Sequence, residues 1–146
     1  MKQRVFNLYV AGSSAKTEAL RVRTAMDLVL EHPRMRLTLD WQKNIERSGL
    51  PANVGLPYDH RIRVATEALD AVSRADILWL LAPRVTTRGG WVELGAGLEQ
   101  KKVIVISGAD SGNSIFCALG QEIATDEDAF AVICALLNEY PWDEQR

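Results

Sequence analysis

Apolar and polar residues alternate between two periods along this chain, and the switches between them divide it into strands and helices. Residues 5–10 (Val-Phe-Asn-Leu-Tyr-Val) read as a strand closed by Ala11-Gly12-Ser13-Ser14. The spacing then predicts a helix over 15–31, with Ala19, Leu20, Val22, Ala25, Met26, Leu28 and Val29 on its apolar face. His32-Pro33 ends it, because proline disfavours helical geometry in the residue before it. A short strand over 35–39 exits at Asp40-Trp41. Residues 42–58 read as a loop, with Gly49, Pro51, Gly55 and Pro57 breaking any period. Asp59 is an N-cap candidate for a helix to Arg74, with Ile62, Ala65, Ala68, Leu69 and Val72 inward. Residues 76–82 are apolar almost throughout and suit a central strand covered on both faces. A loop over 83–90 and a short helix over 91–100 follow, then an apolar strand over 103–106. Residues 115–124 are expected to supply a helical turn and a last edge strand. Thr125, followed by Asp126, Glu127 and Asp128, caps a closing helix to about Glu139.

This alternation predicts one α/β domain over 1–146. Its expected core is a doubly wound parallel sheet of five strands with helices on both faces, Rossmann-like or flavodoxin-like. In such sheets ligands bind beyond the carboxyl ends of the strands, near the switch in strand order. The residues to inspect are therefore 11–14, Asp40-Trp41, 82–93 and 107–114.

Composition narrows the function without choosing it. The chain has 146 residues, 47% hydrophobic and 25% charged, with a formal net charge of −2. That is an ordinary globular balance with no positive field to draw in nucleic acid. Neither a leader nor a membrane-spanning stretch is read, so a cytoplasmic protein is expected. Cys117 and Cys134 lack a pairing or metal-ligand spacing and read as buried thiols of a reducing compartment. His32 and His60 are isolated and read as surface residues, so no metal site is expected. No cofactor is expected either: the first strand–helix turn has a single glycine, and a P-loop is missing.

At the inspected edge, Gly12, Ser13 and Ser14 form either a tight turn or an anion cradle at a helix N-terminus. The run Thr86-Thr87-Arg88-Gly89-Gly90-Trp91-Val92-Glu93-Leu94-Gly95 is more specific. Gly89 and Gly90 let backbone approach a ligand, and Glu93 falls in the first turn of the helix that follows. There the carboxylate either complements the helix dipole or is presented into a cleft. Periodicity leaves the two readings level.

The stretch 75–108 carries Ala-Asp, an apolar strand, a loop, Gly-Gly-Trp-Val-Glu-Leu-Gly-Ala and Lys-Lys-Val-Ile-Val-Ile. It resembles the nucleoside 2-deoxyribosyltransferase superfamily, which includes deoxynucleoside monophosphate N-glycosidases. Leu8-Tyr9-Val10-Ala11-Gly12-Ser13 resembles that family's first strand and loop, and Leu39-Asp40-Trp41 the second-strand exit of its short branch. The resemblance implies cleavage or transfer at the N-glycosidic bond of a nucleoside or nucleotide. Glu93 would act as nucleophile or oxocarbenium stabiliser, with Tyr9 orienting it. Cleavage builds positive charge at the anomeric carbon, which a carboxylate captures or stabilises, while a second acid protonates the leaving base.

The position of the family's helix aspartate is occupied by Ala68, flanked by Glu67 and Asp70. Asp70 and Asp40 are therefore the candidate second acids. Trp41 either stacks on a base or fills core under the long loop, and Arg88 stands where transferases carry an acid and is a candidate for an anionic group. Asn113 and Ser114 are candidates for substrate contact across a homodimer, the assembly the resemblance implies. The missing aspartate favours a non-catalytic nucleotide-binding module of the same fold, and the intact glutamate segment favours an enzyme. TIR domains, which cleave or sense NAD-type molecules, place a glutamate in a comparable fold and form a third class.

Overall fold

The computed structural model describes residues 3–49, 55–85, 87–108, 114–139 and 142. Five parallel strands form one sheet in the order β2-β1-β3-β4-β5. They are β1 (Phe6–Ala11), β2 (Met35–Leu37), β3 (Ile77–Leu81), β4 (Val103–Ser107) and β5 (Gln121–Ile123). This is the expected doubly wound α/β fold. The chain turns from β1 outward to β2 and then back across β1 to β3, so the switch point lies between β1 and β3.

Among the described residues five α-helices complete it: α1 (Ala19–Glu31), α2 (Trp41–Ser48), α3 (Tyr58–Arg74), α4 (Gly89–Glu99) and α5 (Asp126–Glu139). Side chains alternate across each strand, so the two sheet faces bury separate cores. Phe6, Leu8, Val10, Ile77, Trp79 and Leu81 meet Val22, Met26 and Val29 of α1 and Ile133 and Leu137 of α5. Tyr9, Ala11, Leu78, Leu80, Ile104 and Ile106 point the other way, toward Ala71 and Val72 of α3 and Leu94 of α4. Gly97 lets α4 settle on that face, since a Cβ there would lie 3.0 Å from Ile104 Cδ1 and 3.1 Å from Leu78 Cδ1.

Three expectations change. Residues 42–58 are not all loop, because Trp41–Ser48 is helical. The Asp40 side chain accepts from the Lys43 amide at its start, and Gly49 ends it in the left-handed region at φ 65. The first helix opens later than residue 15: Ala15 is extended, Lys16–Glu18 is a 3-10 turn, and α1 begins at Ala19. Finally, α3 buries Ala71 and Val72 but leaves Ile62 49% and Leu69 42% exposed, so much of its expected inward face looks outward. Among the described residues no helix is long and apolar enough to cross a membrane.

Candidate active site

A cleft of about 880 Å³ opens at the carboxyl edge of the sheet, beside the switch point. That is ample for a nucleotide-sized ligand, since small-molecule sites run to roughly 300–1,000 Å³. One wall comes from the ends of β1 and α4: Tyr9, Gly12, Ser14, Arg88, Gly89 and Glu93. The other comes from α2 and α3, with Trp41, Asn44 and Arg47 on the first helix and His60, Arg63 and Glu67 on the second.

Glu93 is the chemically unusual group. Helix α4 opens at Gly89, two residues before the expected start, so Glu93 sits in the second turn rather than the first. The helix-dipole reading therefore weakens, since that effect fades beyond the first turn. Burial pushes the carboxyl up from the ordinary 4.5 to about 7, with the neighbouring Tyr9 hydroxyl pulling the other way. Tyr9 is itself raised well above the usual phenol value, by burial first and by the Glu93 charge second. It therefore stays a protonated donor.

Although the two side chains are neighbours, neither Tyr9 Oη nor Glu93 Oε2 has a well-formed hydrogen bond among the described residues, and both atoms are buried. Buried polar atoms are nearly always bonded, and exceptions gather where function needs them. Two such atoms lie side by side behind one cleft wall.

Trp41 lines the cleft and also packs against both sheet cores. Its Nε1–H donates to the Val10 carbonyl at 2.8 Å, which fixes the ring beside the end of β1. The stacking and core readings of this residue thus describe two sides of one indole.

Other candidates are placed elsewhere. Asp40 does not line the cleft. It accepts from the Lys43 amide at 3.0 Å and pairs with Arg23 Nη2 at 2.8 Å. Burial would raise its carboxyl, but the Arg23 and Lys43 bonds outweigh that and hold it below the usual range. It is an ionised cap, not a proton donor. Asp70 lies off the cleft in an exposed i, i+4 pair with Arg74 at 2.9 Å, while Glu67, one turn earlier, lines it. His60, Arg63, Val64 and Glu67 share the helical face that lines the cleft; Asp70 stands close to Arg63 around the axis but about two turns further along α3, where it meets Arg74.

Ser13 turns inward and accepts from the Ala15 amide at 3.1 Å, leaving Gly12 and Ser14 on the wall. That bond is what the tight-turn reading of Gly12, Ser13 and Ser14 describes. The residue preceding α1 is Glu18, whose buried carboxylate accepts from the Arg84 amide at 3.0 Å. Gly90 packs behind the wall, where an added Cβ would stand 3.7 Å from the Gly12 carbonyl. Ser114 caps the 3-10 turn Ile115–Leu119 through a bond from the Phe116 amide. Asn113 lies outside the described residues.

Sequence reasoning passed over Arg47, His60 and Arg63. The first lay in a segment read as loop, and the other two on a helix face assigned to solvent. The i, i+3 and i+7 spacing of His60, Arg63 and Glu67 was the available signal. His60 is half-buried and bonded to Arg63, not an isolated surface residue. Among the described residues no group of three or more His, Cys, Asp or Glu could hold a metal ion.

No protein-family model matches the chain, and no curated protein matches it in sequence. Its fold does match a solved structure, that of the Clostridium botulinum CMP N-glycosidase BcmB. The TM-score is 0.54 at 10% identity, covering 88% of this chain and 98% of the other. The two share a fold, and a nucleotide N-glycosidase is among the proteins built on it.

Proposed function

We propose that this chain belongs to the nucleoside 2-deoxyribosyltransferase superfamily and acts at the N-glycosidic bond of a nucleoside or nucleotide, by hydrolysis or transfer. The observation that carries this reading is Glu93: a cleft-wall carboxyl raised to about 7 by burial, whose one polar neighbour among the described residues is the buried Tyr9 hydroxyl. Near neutral pH such a group is divided between its two forms. Ionised, it captures or stabilises the positive charge that develops at the anomeric carbon as the base leaves. Tyr9 donates to the carboxylate or to a sugar hydroxyl and orients the pair. Glu67 is the carboxyl on the opposite wall and takes the role of second acid, protonating the departing base. Trp41 offers its ring to the base, and Ser14, Arg88 and Gly89 contact the ligand from the β1–α4 wall.

The fold shared with a CMP N-glycosidase fits this reading, and its alternatives, a nucleotide-sensing module without catalysis and a TIR-like domain cleaving NAD-type molecules, have comparable folds and are separated by activity. Incubating the protein with deoxynucleosides, ribonucleosides, their 5′-monophosphates and NAD, then separating the products by chromatography, distinguishes all three. Free base from a nucleoside or nucleotide is expected. Nicotinamide alone would indicate the TIR-like class, and binding without any product the sensing module.

A homodimer in a cytoplasmic setting completes the proposal. Tyr58, Ile62 and Leu69 form an exposed stripe on α3, and Val92 is 61% exposed on the adjacent α4. Apolar surface gathered on one face marks an interface more often than chance. Light scattering is expected to give twice the chain mass, falling to one in Ile62→Glu/Leu69→Glu.

A further inference from the structure

Among the described residues, four arginines of this protein pair with aspartates and three gather at the cleft, while Arg34, Arg36, Arg61 and Arg84 belong to neither set. Away from the cleft, Arg4 pairs with Asp76, Arg21 with Asp126, Arg23 with Asp40 and Arg74 with Asp70. Around it, Arg47, Arg63 and Arg88 have no carboxylate partner among the described residues, although all three line the same cavity. Arg47 comes from the last turn of α2 and Arg63 from the second turn of α3, so two independent helices bring positive charge to one wall.

His60 adds to that wall. Arg63 Nη2 lies 2.6 Å from His60 Nδ1. A guanidinium has no lone pair to offer, so Nδ1 must be the acceptor, and the proton of the neutral ring sits on Nε2 as a further donor. The cleft thus holds three guanidiniums and an imidazole against two carboxyls, Glu67 and Glu93. This excess of positive charge occurs in a chain whose formal net charge is −2.

We infer that the α2–α3 wall is an anion subsite, in which Arg47, His60 and Arg63 bind a phosphate or carboxylate carried by the substrate. Resting on the glycosidic reading above, this makes the substrate an anionic nucleotide-type molecule rather than a neutral nucleoside. Guanidinium forks suit a planar or tetrahedral oxyanion, and charge-assisted bonds are stronger than neutral ones. The start of α1, the other place an anion would be sought in this fold, is preceded by the buried Glu18.

The test is direct binding, measured by calorimetry on Glu93→Gln so that no ligand is consumed. The probes are the four common ribonucleosides, their 5′-monophosphates, and orotidine, a nucleoside with a carboxylate on its base. At least one anionic probe is expected to bind about thirtyfold more tightly than its neutral counterpart, the scale of one or two charge-assisted bonds. Arg47→Gln/Arg63→Gln is expected to erase that margin and leave the neutral ligands unchanged. Both residues are exposed, so the fold should survive, as a thermal melt verifies. Preference for a monophosphate puts the anion on the sugar, and preference for orotidine puts it on the base; either supports the subsite. Equal binding of neutral and anionic probes, or a margin that persists in the double variant, overturns it. Turnover by the wild type is scored separately. Anion-dependent binding without base release would sink the glycosidic reading alone, and base release indifferent to the anion would sink the subsite alone.

Discussion

Two polar clusters sit at the carboxyl edge of this sheet, on opposite faces, and they differ in how completely their bonds are made. On the α1–α5 face, Arg21 binds both oxygens of Asp126 at 2.7 and 2.9 Å and the carbonyls of Ala82 and Ser107 at 2.7 and 3.0 Å. Ser107 Oγ donates to Asp126 at 2.6 Å and accepts from Trp79 Nε1 at 2.9 Å. Burial would lower the Arg21 pKa and raise that of Asp126, but their mutual bonds outweigh it in both, so the pair stays charged. Gly108 leaves the room: at φ 72, an added Cβ would stand 2.8 Å from Arg21 Nη2. On the α2–α3–α4 face, by contrast, Tyr9 Oη and Glu93 Oε2 are buried without partners and the arginines around them lack carboxylates. The closed cluster ties the loops after β3 and β4 to the helices behind them. The open one keeps its bonding capacity for something else. Similar residue types build structure when saturated and a candidate site when left unsaturated.

That contrast can be broken from either side. The largest effect is expected at Glu93→Gln, which keeps the shape and removes the ionisable group. Base release should fall by roughly a thousandfold or more, as when a covalent or electrostatic catalyst is deleted, with the circular dichroism spectrum unchanged. Arg21→Ala on the saturated face should instead cost about 3 kcal/mol of stability in a denaturant melt, because Asp126 and Glu18 lose their buried counterion.

Next comes the stability of Glu93→Gln itself. The Glu93 pKa of about 7 in the folded state lies above its ordinary 4.5, so the native state holds the proton more tightly. The wild type therefore loses stability as pH rises from about 4.5 through 7. By pH 8 the variant should be more stable by about 3 kcal/mol, and near pH 4.5 the two should converge. Tyr9→Phe should lower base release about tenfold at pH 6.5 and move its acidic limb upward, since the Tyr9 hydroxyl is what pulls the Glu93 pKa down. The smallest effects belong to the paired carboxylates. Asp40→Ala should cost about 1 kcal/mol as a lost helix cap. Asp70→Asn should change neither stability nor turnover measurably, its pair with Arg74 being exposed.

The sheet was legible because its strands are apolar runs of the right length. Residues 77–81 and 103–106 are covered on both faces and admit few other readings. Helix α2 was not legible, because Ile45 is its only aliphatic residue after Trp41 and its stability comes from its ends, an Asp40 cap and a left-handed Gly49. The face of α3 was misread for the opposite reason: its most regular apolar stripe, through Ile62 and Leu69, faces outward, and periodicity cannot say which side meets the sheet. Gly12, Ser14 and Arg88 could be picked out because they lie at strand ends or loop exits, where topology brings them together, and Glu93 because it follows the Gly89-Gly90 loop; Tyr9, inside β1, was indicated only by the family resemblance. Arg47, His60, Arg63 and Glu67 reach the cleft only through helix rotation and the placement of α2, which depend on long-range packing.

The pH dependence of base release by the wild-type protein tests the central claim most directly, since it requires both that the bond is cut and that Glu93 cuts it. The account predicts that kcat/KM rises with pH along a limb of apparent pKa near 7, as the carboxyl ionises, and that this limb is missing from whatever activity Glu93→Gln retains. A profile flat from pH 5.5 to 8.5, or no release of base from any nucleoside or nucleotide, would contradict it.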